Sequence, residues 1–164
     1  MTREEKSIAI ENLTAQLASS NIVYLADISG LDAELTSNLR RACFKAGIKL
    51  EVVKNTLLAK AMEASDNDYG DLPATLTGNT SIFLADVANA PAKIMKEFRR
   101  KADKPLLKGA YINSEVYIGD NLLDSLSSLK SKEEVIGEII ALLQSPAQRV
   151  VSALLNQFKN EEVA

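Results

Sequence analysis

Residues 39–61 read Leu39-Arg40-Arg41-Ala42-Cys43-Phe44-Lys45-Ala46-Gly47-Ile48-Lys49-Leu50-Glu51-Val52-Val53-Lys54-Asn55-Thr56-Leu57-Leu58-Ala59-Lys60-Ala61, and the fold class turns on them. Leu39, Ala42 and Ala46 extend a helical spacing that starts at Leu35 behind an Asp32 cap, and Gly47 supplies the left-handed residue that stops a helix. Ile48 to Val53 is the next strand, after which Asn55 caps a short helix through Leu57, Leu58, Ala61 and Met62. Helix, glycine stop, strand, cap and helix in such close succession predict a sheet covered by helices.

The pattern continues on both sides. Thr2 and Glu5 form a T-x-x-E capping box ahead of Ile8, Leu13 and Leu17, so a first helix runs to about Ala18. Asn21 to Ile28 is a strand ended by Ser29-Gly30. Downstream, Ser65 to Gly70 is polar loop, Ser81 to Ala85 a strand and Ala90 to Ala102 a helix. Leu106 to Ile112 and Val116 to Ile118 are a pair of strands joined at Asn113-Ser114. After Gly119 only helical patterns remain: a short piece opened by Asp120, a second behind the Ser131-x-x-Glu134 capping box, and a last one begun by Ser145-Pro146. The expected fold class is α+β: a mixed, largely antiparallel sheet flanked by helices, a ferredoxin-like body, with an all-helical C-terminal extension. The expected divisions are a body over 1–119, a helical connector over 120–144 and an amphipathic helix over 145–164.

Composition excludes much chemistry. With 164 residues, 46% hydrophobic and 25% charged, the chain can bury one core rather than two. Its one cysteine, Cys43, allows neither an internal disulfide nor a cysteine-built zinc site, which fits a reducing, cytoplasmic setting. The absence of histidine removes Ser-His-Asp and Cys-His nucleophiles and imidazole metal ligands. No GxGxxG follows the first strand and no GxxxxGK[ST] occurs, so the phosphate cradles of nucleotide enzymes are missing. The pairs Glu4-Glu5, Glu133-Glu134 and Glu161-Glu162 lie at helix starts or near the chain end, where dipole-complementing or solubilising charge explains them. Neither a signal peptide nor a membrane span is expected, and no enzyme activity, cofactor, metal or small-molecule substrate.

The net charge of -3 hides a segregated distribution. Arg40 to Lys60 holds six basic residues against one acid, and Lys93 to Lys108 holds seven against two, leaving the remainder strongly acidic. Such local fields favour polyanion binding over what total charge would suggest, although two solvated helix faces would carry the same charges. Projected at helical spacing, Arg40, Arg41 and Phe44 fall away from the apolar stripe, and Lys93, Lys96 and Arg100 lie opposite Ile94, Phe98 and Ala102. A phenylalanine so placed either stacks on an unpaired base or packs beneath a neighbouring loop. Cys43, at the edge of its stripe, reads as a packed thiol. Gly78-Asn79-Thr80 is either an anion-binding turn or an ordinary entry into the next strand. In the last helix Ala147, Val150, Val151, Leu154, Leu155 and Phe158 share one stripe, which folds back on the body or is offered to partner helices, with a membrane surface the weaker third reading.

Leu39 to Ala42 and Gly47 to Ala61 closely resemble the signature of the bacterial ribosomal protein L ten family. The resemblance runs along the chain through Val23-Tyr24-Leu25-Ala26-Asp27, Gly78-x-Thr80, Lys96-Glu97-Phe98 and the amphipathic terminal helix. It implies a non-catalytic protein of the large ribosomal subunit whose body grips rRNA at the base of the lateral stalk, beside the L eleven protein. It further implies a terminal helix that carries dimers of the acidic L seven/L twelve protein, which recruit translational GTPases, and no membrane partner. An RNA-binding repressor acting off the ribosome, including on its own mRNA, is the alternative. Arg40, Lys54, Asn55, Thr56, Lys60, Gly78 and Thr80 match the family's RNA-facing pattern, and projection adds Arg41 and Phe44. Val150, Val151, Leu154, Leu155 and Phe158 are the expected partner-binding residues.

Overall fold

The amino-terminal capping box forms in full: Thr2 N–H donates to Glu5 Oε2 at 2.8 Å, and Glu5 N–H to Thr2 Oγ1 at 3.3 Å. It opens α1 (Arg3–Ser19), followed by β1 (Ile22–Asp27), α2 (Ala33–Lys45), β2 (Lys49–Val53), α3 (Asn55–Glu63), a 3-10 turn (Leu72–Thr75), β3 (Thr80–Ala85) and α4 (Ala90–Arg99). The hairpin β4 (Leu106–Ile112) and β5 (Glu115–Ile118), a second 3-10 turn, α5 (Leu123–Ser128) and α6 (Lys132–Glu161) complete the order. This computed structural model describes residues 2–65, 67–100 and 102–161, excepting the side chains of 147 and 153–161. Ala102, expected in α4, lies beyond its end at Arg99.

The five strands lie in the order β2-β3-β1-β4-β5, with all four pairings antiparallel. The order β2-β3-β1-β4 is that of a ferredoxin-like sheet, here with α3 between β2 and β3 and β5 added at one edge. Because side chains alternate along a strand, each central strand feeds two cores. Ile22, Tyr24 and Ala26 of β1 join Phe83 and Ala85 of β3 beneath α2, α4 and α5. Val23 and Leu25 join Ile82 and Leu84 beneath α1 and α3. Tyr24 Oη stays satisfied in its core by donating to Ala88 O at 2.6 Å.

The helix stop expected at Gly47 is a Schellman closure: Ile48 N–H donates to Cys43 O at 2.8 Å and Gly47 N–H to Phe44 O at 3.1 Å, with Gly47 at φ 70°. Asp32 is the N-cap residue of α2 but makes no side-chain cap bond. Cys43 sits at the centre of the buried side of α2 rather than its edge, while Ala46, expected on that side, is exposed. Burial pushes the Cys43 thiol up to about 11, so it stays protonated and inert.

Packing carries the first unit past the change of pattern at Gly119. Leu123 and Leu126 of α5 are buried in the core under α4, and the compact unit reaches Leu129, with a second unit from Lys130. The capping box of that second unit is complete, Ser131 N–H donating to Glu134 Oε2 and Glu134 N–H to Ser131 Oγ. Pro146 lies inside α6 instead of opening a new helix. Its missing N–H removes one bond of the helical ladder, and the turns on either side hold the helix together.

Among the glycines, Gly109 has the least room for a side chain. A Cβ there would lie 2.5 Å from Leu72 Cδ2 and 3.0 Å from the Tyr117 carbonyl oxygen. Gly109→Ala should therefore destabilise the fold by about 1–3 kcal/mol through overpacking, read as a lower midpoint in urea unfolding. An unchanged midpoint would show that Leu72 yields without cost.

Candidate nucleic-acid interface

Two segments far apart in sequence meet at the β2 edge of the sheet. Register pairs Val53 with Thr80, which places the start of α3 beside the turn entering β3. Val52, Val53, Lys54, Asn55, Thr56, Gly78, Asn79 and Thr80 line one open groove there. Lys54, Thr56, Gly78 and Asn79 are exposed along it. Asn55 does not cap α3, whose N-cap residue is Lys54. Its amide instead reaches across the groove and donates to Leu76 O at 2.9 Å and Gly78 O at 2.7 Å.

The turn is held from the other side as well. Lys108 Nζ donates to Thr77 O at 2.7 Å, to Thr80 Oγ1 at 2.8 Å and to Asn79 O. Burial lowers the Lys108 ammonium from its usual range, and the three oxygens take the place of its hydration. Thr80 is 1% exposed, so its side chain supports the turn from beneath instead of facing outward. Gly78, at φ 70°, gives the chain the left-handed step this path needs.

The remaining candidates stand on two different layers. Arg40, Arg41 and Phe44 are exposed on α2, which packs against α4, and Lys60 is exposed on α3, which packs against α1. The layers are joined through β2. Phe44 is 85% exposed, so it packs beneath no loop. Lys49, from the same basic run, is paired with Glu51 at 2.9 Å.

The second basic run is engaged within the fold in part, while Lys93 and Arg100 are exposed. Arg99 donates through Nε to Pro105 O at 2.6 Å and pairs in a fork with Asp120. That fork, with the Leu107 N–H, holds the Asp120 carboxyl below the usual carboxylate range despite partial burial. Lys104 Nζ contacts Asp27 Oδ2 at 3.1 Å and Ser29 Oγ at 2.7 Å. Burial works against the ionised Asp27, but the bonds from Ser29 and Lys104 outweigh it and lower its pKa. Lys96 pairs with Asp124 at 2.8 Å. These clamps were hidden in the sequence by sharing one stretch with exposed cations.

On α6, Val150 and Val151 are exposed, and so are Val135, Ile136, Ile139, Ile140, Leu142 and Leu143 nearer its start. The side chains of Leu154, Leu155 and Phe158 lie outside the described residues. Among the described residues, no cluster of potential metal ligands occurs and no helix is long and apolar enough to cross a membrane.

The family model described as Ribosomal protein L10 matches residues 1–101, spanning α1 through α4 and both walls of the groove. The chain belongs to this family. Relatives named Large ribosomal subunit protein uL10 agree beyond that span. The one from Flavobacterium johnsoniae is 78% identical over 99% of this chain and 97% of its own length. That from Cytophaga hutchinsonii is 42% identical over 96% and 95%, and that from Neisseria meningitidis serogroup C 28% over 98% and 97%. As a uL10-family member the chain is a structural, non-enzymatic protein of the large ribosomal subunit, active in translation.

In this uL10-family body the groove depends on the Asn55 amide. Asn55→Ala leaves the Leu76 and Gly78 carbonyls without that partner and should cost about 1–2 kcal/mol of stability. Amide exchange should quicken in residues 76–80 before the core strands are affected. Equal protection of that turn in both proteins would show that Lys108 alone suffices to hold it.

Proposed function

We propose that the body binds large-subunit rRNA at the base of the lateral stalk, beside the L eleven protein, through the β2 edge. The observation that carries this reading is the convergence, on one clamped groove, of Lys54, Thr56 and Gly78, flanked by the exposed cations of α2 and α3. An exposed cation and hydroxyl beside a preset turn suit phosphate oxygens, and folded RNA offers them at fixed spacing. Asn55 and Thr80 serve this surface by shaping it. The finer assignment rests on family resemblance together with this placement.

We further propose that α6 anchors dimers of the acidic L seven/L twelve protein, with Val150, Val151, Leu154, Leu155 and Phe158 in the contact. In support, the described apolar residues of α6 are exposed along much of its length. A long helix with uncovered aliphatic side chains is suited to helical partners.

Two experiments test the two halves. Replacing Arg40, Lys54 and Lys60 together by Ala should weaken binding to a large-subunit rRNA transcript and flatten log K against log salt by roughly 0.7 to 0.9 for each phosphate no longer neutralised. Melting should not change, and an unaltered slope would remove these residues from the interface. For the helix, Val150→Asp with Leu154→Asp should leave the body's melting and RNA affinity as they were. Retention of acidic stalk dimers in size-resolved mass measurement should drop at least ~100-fold, since an unpaired carboxylate is costly to bury. Full retention would place the contact elsewhere on the chain.

A further inference from the structure

Phe44 breaks the pattern set by the other aromatic side chains of the first unit. Tyr24, Phe83, Tyr69 and Tyr111 are buried, and Phe98 and Tyr117 are partly buried against the core. Phe44 alone among these stands in solvent, on the side of α2 away from Leu39 and Cys43. Arg40 and Arg41 lie one helical turn back, where side chains at these spacings become neighbours, and Lys45 follows directly. Residues 35–50 contain no Asp or Glu, so nothing acidic in this segment opposes an approaching phosphate. Beyond the ring the chain narrows to Ala46 and Gly47, both exposed, and a Cβ on Gly47 would meet nothing within 4 Å. The ring is thus open to a flat partner.

We propose that Phe44 is a stacking platform for an unpaired base of the RNA, with Arg40, Arg41 and Lys45 holding the phosphates around that base. The proposal rests on the RNA-binding reading of the body and adds to it a recognition element that charge cannot supply. Every base has a π-face, whereas a fully paired helix offers none from its side, so a lone aromatic ring within a basic rim selects a loop, bulge or helix end. The charge near Phe44 is of one sign, from Arg40, Arg41 and Lys45 with no carboxylate in residues 35–50, which matches the uniform charge of a phosphate backbone better than the mixed charge of a protein surface.

The chain contains no tryptophan, so F44W installs a single fluorophore at the platform in the full-length protein. Titration with a transcript of the large-subunit rRNA should quench its emission, and an equal mass of long, fully paired RNA duplex, which offers base faces only at its two ends, should quench it far less. F44W should keep the parent's affinity for the transcript, while F44L should bind on the order of ten- to a hundred-fold more weakly. Both variants should melt with the parent, since an exposed side chain is being changed. If F44L matches the parent while R40A/R41A binds more weakly, stacking is overturned and the RNA reading stands. If the parent binds neither the transcript nor the duplex, the RNA reading falls and the proposal with it, whereas equal binding to both overturns selection of an unpaired base alone. A lower melting temperature in F44L with unchanged affinity of the folded fraction, or emission that responds to stalk protein and not to RNA, would likewise overturn it.

Discussion

Ile22, Tyr24 and Ala26 face one helical layer while Val23 and Leu25 face the other, so the central strand has no side that meets water. Everything else in the body follows from that double burial. A strand covered on both faces needs helices above and below, and these come in pairs, α2 with α4 and α1 with α3. The edge strand β2 is only partly covered, with Lys49 exposed and Val52 58% exposed. The groove opens where the β2–β3 pair ends, between the start of α3 and the turn that enters β3.

The fate of the basic residues shows how a fold sorts charges that a sequence presents together. Arg99, Lys104 and Lys108 are drawn inward by carboxylates and carbonyls that come from β1, the segment before β3 and the turn after β5. Their desolvation is offset by several oxygens each, which explains why they act as ties between loops rather than as a free field. Arg40, Arg41 and Lys60 stay at the surface. Net charge along a stretch measures the supply of cations, and topology decides which of them remain to face a polyanion.

Most elements were legible because their signals are local. The two capping boxes, the glycine stop at Gly47 and the Asn113-Ser114 turn, with both residues at positive φ, each depend on residues within one turn of chain. What escaped was long-range. Asn55 looks like a cap because it precedes a helix, and only the β2–β3 register brings the Leu76 and Gly78 carbonyls within its reach. Helical projection placed Phe44 outside correctly but could not choose between loop and solvent. Gly119 ends the strand pattern, yet Leu123 and Leu126 still belong to the core, since a short helix carries too few residues to declare its packing in sequence. Pro146 follows a serine, which is a start signal by local rules and is overridden by the helix on both sides.

The turn at 77–80 is tied down twice, by Asn55 from α3 and by Lys108 from β4, before any ligand arrives. Its conformational entropy is therefore surrendered when the body folds rather than when the complex forms. Under the proposed RNA-binding role, recognition would be asymmetric: the protein would supply a finished mould, and such reshaping as the union demands would fall on the nucleic acid.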